Sequence, residues 1–421
     1  MVTNGSNSSD RKPRLISGLL GRRLVSVGAL LERIEDAFVE EYADTPALAD
    51  AISVSARLKL LNETISYVLA VESVQLDAAD RAALAEAAYS ALFGYGPLDA
   101  LLSDSRVTTV ALDGAQKAAV RYGHGDLVPI DPLFDDAAHL RRTLRRLLID
   151  AGTDLYDDQP IIETGLVVDG RRVCVNLVAP PLSPGYTVDI RLHPAQPPSL
   201  SDLVDSGFVT AEGAILLEKL ARSPHGMAIV GDTEAGKTTL LGTLARLLPE
   251  PAAVVAVERA GEMHLPDGMR RLTAHWRSGE RGPVTFGEQI GAALALSPDC
   301  LLLDEVRADE PETIAPLLRE DSVPRQIWSF RGPFDSKRLR NALGMLARRS
   351  DMMQGEAQVA SLYRRLPFVV TVWRSGGAVR LYSIGEWQFR QSQDYPEYVL
   401  LMQIRDGQLT ATGEQSALPL I

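Results

Sequence analysis

Four residues of this chain have the types and the spacing to hold phosphate. Gly231, Gly236, Lys237 and Thr238 sit in "GDTEAGKTTL" as G-x-x-x-x-G-K-T. Glycines at these positions let main-chain N–H groups turn inward around phosphate oxygens. The lysine adds a cation at the β- and γ-phosphates, and the threonine hydroxyl reaches Mg²⁺. The predicted nucleotide site therefore runs through Gly231, Asp232, Thr233, Glu234, Ala235, Gly236, Lys237, Thr238 and Thr239, with ATP and Mg²⁺ as its cofactors. Asp232 and Glu234 place carboxylates in the variable positions. Facing the nucleotide they would repel it, so both are expected to point to solvent.

Further acids follow in the chain. "CLLLDEVR" reads as a buried strand ending in Asp304 and Glu305. An acid at such a strand end holds Mg²⁺ or orients an attacking water. Asp304 joins Thr238 as a candidate metal ligand. Glu258 ends the strand "VVAVE", is expected to open toward the same crevice, and is a candidate general base. Arg307 is placed either to pair with Glu305 or to touch phosphate.

The elements that must carry these residues alternate. "GMAIVG", "AAVVAVE", "CLLLDEV" and "RQIWSFRG" read as strands, and "KTTLLGTLARLL", "FGEQIGAALAL" and "ETIAPLLRE" as helices. The pattern predicts a doubly wound α/β domain over 203–421, closed by a hairpin turning at Gly376-Gly377. Upstream, 193–202 ("HPAQPPSLSD") is a proline-rich linker, with Ser199 or Ser201 capping the next helix. Residues 94–192 read as an α+β domain, with a hairpin at Asp169-Gly170 and a helix starting near Asp135 or Asp136. Residues 25–93 show three- and four-residue apolar spacing and predict a helical bundle, with Asp77 as an N-cap. Residues 1–24 are expected to be flexible.

Composition bounds the partners. The 421 residues are 46% hydrophobic with a formal net charge of −12. That argues for a packed protein of two or three domains and against direct nucleic-acid contact. The two cysteines, Cys174 and Cys300, lie in apolar runs and form no disulfide framework, which fits a reducing cytoplasm. No run of eighteen apolar residues occurs, so membrane contact is expected through a partner or a surface.

The chain resembles the secretion and pilus ATPases of the type II/type IV secretion superfamily, and within them the branch that drives Tad (tight adherence, Flp-type) pili. The resemblance covers roughly 92–346. It is carried by "LFGYGPLDALLSDSRVTTVALDG", by "PIIETGLVVDGRRVCVNLVAPPLSPGYTVDIR" and by "SLSDLVDSGFVT", beside the phosphate loop. It implies a RecA-like P-loop domain behind an α+β N-terminal domain and a helical extension. It implies a homo-oligomer, a hexameric ring at the cytoplasmic face of the inner membrane that acts on a platform protein. Arg191 matches the family's arginine that reaches ATP from the N-terminal domain. Glu258 matches the acid of its aspartate-rich box, Glu305 the Walker B glutamate, and Arg307 the arginine after it.

Three positions depart from the family. Arg259 replaces an acid of the box, Asp304 stands where glycine is usual, and the histidine box is absent, the last histidine being His275. Arg325 or Arg331 is left to supply a cation there. Two functions follow: an ATP-hydrolysing motor subunit of a Tad-like pilus or secretion machine, or a nucleotide-binding, hydrolysis-deficient subunit that regulates or scaffolds a mixed ring with a paralogue.

Overall fold

The computed structural model describes residues 15–17, 24–43, 45–249, 252–318, 324–333, 335–389 and 395–420. The expected flexible N-terminus lies outside the described residues apart from 15–17 and 24. The chain divides into two compact units.

The first unit spans 1–103, 114–116 and 131–147. A small hairpin, β1 (Leu15–Ser17) and β2 (Leu24–Ser26), precedes helices α1 (Val27–Tyr42), α2 (Pro46–Asp50), α3 (Val54–Val71), α4 (Ala78–Phe93) and α5 (Asp99–Ser103). Apolar residues recur once per turn, so each long helix buries one stripe. Leu30, Ile34 and Phe38 of α1 meet Leu61, Ile65 and Val68 of α3 and Leu84 of α4. Ser26, Ser53 and Asp77 cap these helices by accepting main-chain N–H bonds.

The second unit spans 104–113, 117–130 and 148–421 and holds two sheets. The antiparallel sheet contains β3 (Val107–Asp113), β4 (Ala118–Tyr122), β5 (Val128–Ile130), β6 (Ile161–Val168), β7 (Arg171–Val178) and β8 (Thr187–Leu192), ordered β5-β4-β3-β8-β7-β6. Helix α6 (Ala137–Asp150) lies between β5 and β6 in sequence, and Asp136 accepts the His139 N–H at its start. The β6–β7 turn is Asp169-Gly170, both left-handed at φ 49 and 78, as a two-residue hairpin loop requires.

Helices α7 (Leu200–Asp205) and α8 (Ala211–Arg222) follow, and Ser199 caps α7 in a reciprocal box with Asp202. Then come β9 (Met227–Gly231), α9 (Lys237–Ala245), β10 (Val254–Glu258), β11 (Arg270–Thr273), α10 (Phe286–Ala295), β12 (Cys300–Val306), α11 (Ala315–Leu318) and β13 (Arg325–Arg331). Helices α12 (Ser336–Ser350) and α13 (Gly355–Arg365) precede β14 (Phe368–Ser375), β15 (Ala378–Gln388), β16 (Glu397–Arg405) and β17 (Gln408–Ala411). These strands form one sheet, ordered β11-β10-β12-β13-β9-β14-β15-β16-β17, parallel from β11 to β14 and antiparallel beyond. Strands β9 and β10 are buried along their whole length, as covered parallel strands are. The C-terminal ends of β9, β10, β12 and β13 thus open at one edge, where ligands bind in open α/β sheets.

Candidate functional site

The site starts where β9 stops. A side chain at Gly231 would put its Cβ 2.5 Å from the Val372 carbonyl oxygen, so only glycine lets β9 leave the sheet there. The chain returns through Gly236, left-handed at φ 84, which is the N-cap of α9. The α9 N-terminus with its free N–H groups therefore faces the cavity. Lys237 is buried, its ammonium donates to the Asp232 carbonyl at 2.7 Å, and burial lowers its pKa.

Thr238 donates its hydroxyl to Asp304, at 3.0 and 3.1 Å from the two carboxylate oxygens. Ser329 on β13 donates to Asp304 Oδ1 at 2.6 Å and accepts the Glu305 N–H at 2.7 Å. This pair of hydrogen bonds sits at a register shift between Leu303 and Val306, where β12 fits two residues opposite one of β13. The bulge holds Glu305 left-handed at φ 63. Asp304 is buried, and burial holds its carboxyl above the ordinary range.

Arg307 pairs with Glu305, its Nη2 donating to Oε1 at 2.9 Å, and donates also to Glu163 of β6 at 2.7 Å. Of the two placements open for Arg307, the carboxylate pair is present in this structure. Arg191 of β8 lies 3.4 Å from Glu262 and donates to the Cys174 sulfur at 3.3 Å. His193 shares the same Glu262 at 2.5 Å. Ser329, Glu163 and Glu262 were not among the residues singled out in the sequence. Their only signal is spatial, since they reach the site from β13, β6 and the loop after β10.

Two expectations are corrected. Glu234 does not point to solvent. Its carboxylate accepts from Thr109 Oγ1 at 3.0 Å, from Arg374 Nη1 at 2.8 Å and from Arg121. Two guanidinium groups outweigh hydration of one carboxylate. Asp232 is exposed, as expected. Glu258 does not open into the crevice. It is fully buried, accepts the Met263 N–H at 2.7 Å and ion-pairs with Arg271 Nε at 2.8 Å. Burial pushes its carboxyl up to about 7. Arg259 pairs with Glu310 at 2.9 Å and donates to the Glu305 carbonyl at the same distance.

The two candidate cations of the missing histidine box separate along β13. Arg325 binds the carbonyls of Leu220, Ala221 and His225 at the strand's start. Arg331 lies at its end, exposed and in register with Gly231. Residues 321–323 and 334 of that region lie outside the described residues. A cavity of about 150 Å³ collects Thr233, Glu234, Gly236, Lys237, Thr238 and Thr239 with Arg121, Arg191, Arg374, His193, Glu262 and Glu305. The donor set fits a magnesium nucleotide. Mg²⁺ takes one or two protein oxygens and completes its shell with phosphate and water, and the Thr238–Asp304 pair offers that much.

Parts of the chain are similar to known proteins. Residues 134–317 match the model of the family described as "Type II/IV secretion system protein". A putative conjugal transfer protein of Mycobacterium tuberculosis (strain H37Rv) is 29% identical over 225 residues, 52% of this chain and 64% of that protein. The type IV secretion system protein VirB11 of Brucella suis is 22% identical over 185 residues, 37% of this chain and 50% of that protein. The X-ray structure of the Legionella pneumophila ATPase DotB superposes with a TM-score of 0.49 at 14% identity, over 72% of this chain and 82% of that one. The matched region thus spans less than two thirds of each of these two relatives' own lengths. The sequence matches thus make residues 134–317 similar to type II/IV secretion system proteins.

Proposed function

We propose that this chain is an ATP-hydrolysing motor subunit of a Tad-like pilus or secretion machine. The observation that carries the reading is the network Thr238–Asp304–Ser329–Glu305 at the mouth of the phosphate loop. Lys237 and the α9 N-terminus would hold the β- and γ-phosphates, and Thr238 with Asp304 would hold Mg²⁺. When bound, Mg²⁺ supplies charge neutralisation at the phosphate oxygens. Glu305, held at the cavity by the bulge, would orient the attacking water and take its proton. Arg191 would act on the phosphates as the catalytic arginine, while Arg307 holds Glu305 in place. Glu258, closed off from the cavity, would fix the loop after β10 through Met263.

The strand order around β9 supports a RecA-like core in 203–421, behind domains at 25–93 and 94–192 and a linker at 193–202. A hexameric ring, an inner-membrane platform partner and a cytoplasmic location belong to the same proposal. Among the described residues no helix is long and apolar enough to cross a membrane. One observation favours the alternative of a hydrolysis-deficient regulatory or scaffold subunit: Glu305 is already paired by Arg307.

The test is steady-state phosphate release with Mg²⁺-ATP, beside Lys237→Ala and Glu305→Gln. Loss of turnover in both, by on the order of 10²-fold or more, is expected of the motor. Equal turnover in Lys237→Ala overturns it. Binding without turnover in the unaltered chain selects the alternative.

A further inference from the structure

We propose that Glu234 is an internal anion of the phosphate loop. Its carboxylate occupies Arg121 and Arg374 where a nucleotide phosphate would, and the two arginines form an outer phosphate site that opens when Glu234 is displaced. The inference rests on the nucleotide reading given above.

The loop holds Glu234 in the left-handed region at φ 60, which a glutamate adopts only when its surroundings over-determine it. The surroundings are three donors from three strands. Thr109 of β3, Arg121 of β4 and Arg374 of β14 all converge on its carboxylate. The cluster is shielded from water, with side-chain exposures of 20% for Glu234, 11% for Arg121 and 18% for Arg374. Both arginines are fixed independently of Glu234. Arg374 donates to the Gly125 carbonyl at 2.6 Å, and Arg121 donates to Thr109 at 3.3 Å. Arg121 Nε is buried without a hydrogen-bond partner. Arg121 therefore keeps an unused donor beside the Glu234 carboxylate, and both arginines line the cavity beside Lys237.

The same self-neutralisation recurs around the cavity. Arg191 is taken by Glu262 and Lys237 by the Asp232 carbonyl. Incoming phosphates must compete with groups of the chain itself, so apparent affinity is reduced by the fraction of molecules in which Glu234 holds the arginines. A phosphate group brings more charge and one more acceptor oxygen than a carboxylate, so it satisfies the donor set better. The ligand class is a nucleoside triphosphate. The carboxylate that leaves is freed toward solvent with no bond made or broken.

The test is a titration of the full chain with Mg²⁺ and a fluorescent non-hydrolysable ATP analogue. Unaltered protein is compared with Lys237→Ala, Glu234→Gln and Glu234→Gln/Arg374→Gln, each checked for fold by near-UV circular dichroism. Glu234→Gln is expected to bind about tenfold tighter than the unaltered chain, and the added Arg374→Gln to remove that gain. Glu234→Gly, which suits φ 60, replaces Glu234→Gln with the same expectation if the latter does not fold. If the unaltered chain binds, Lys237→Ala does not, and the Glu234 variant binds no tighter, the inference is overturned and the nucleotide reading stands. A gain that survives Arg374→Gln overturns the outer site. Absence of binding in every folded variant overturns both the nucleotide reading and the inference.

Discussion

Ser329 joins the two acids of the site with one hydroxyl, donating to Asp304 and accepting from the Glu305 N–H. It is not itself an expected ligand of the metal or the nucleotide, so its effect is on where the acids sit. Groups that orient metal ligands cost 10–100-fold in activity when lost. Ser329→Ala should therefore lower phosphate release by about that range while Ser329→Thr restores part of it. The alanine variant also leaves a buried main-chain N–H unpaired, a loss of about 1–3 kcal/mol in a urea titration. Unchanged turnover in a folded Ser329→Ala would show the bulge to be positioned by other groups. The phosphate loop was legible because all its members lie within ten residues. Ser329 was not, since it meets Asp304 across 25 positions, and Glu234 was misplaced because its three partners lie 113 to 140 positions away.

At the scale of elements, the strands that end at the site were legible from unbroken apolar runs, β9, β10 and β12 above all. Helix α12 was not singled out. Its stripe Leu339, Leu343 and Leu346 is buried but is interleaved with Lys337, Arg338, Arg340, Arg348 and Arg349. Strand β11 has only four residues and exists through its pairing with β10, which no local pattern announces. The end of β10 carries a pH dependence. Burial raises the Glu258 carboxyl from 4.5 to about 7 in the folded chain. Below the unfolded value both states are protonated and nothing is lost. As pH rises from about 4.5 through about 7, the unfolded state releases its proton first, and folding stability falls by about 3 kcal/mol at most. Arg271 already opposes that loss, as the second contributor to the shift. Glu258→Gln retains an oxygen for the Met263 N–H and should flatten this part of the profile. Urea midpoints at pH 5 and pH 8 for both proteins measure it, and parallel pH slopes would refute it.

The whole molecule separates a core from a site. Helices α1, α3 and α4 close a core of their own between residues 27 and 93, while every residue lining the cavity comes from the second compact unit. The helical region was legible as helix from its period, but what it docks to leaves no trace in a stripe that is spent on its own core. Its stability and the nucleotide site should accordingly be separable. Phe38 and Leu61 are buried at the centre of that core, and truncating either to alanine costs about 2–5 kcal/mol. In a thermal scan, Leu61→Ala should lower the transition of the helical unit. Mg²⁺-ATP, which stabilises only the state that binds it, should raise the other transition equally in the variant and the unaltered chain. Nucleotide affinity measured directly should agree within twofold, since no cavity group is touched. If Leu61→Ala weakens nucleotide binding tenfold while the second transition is unmoved, the helical region acts on the site, and the separation argued from the two cores fails.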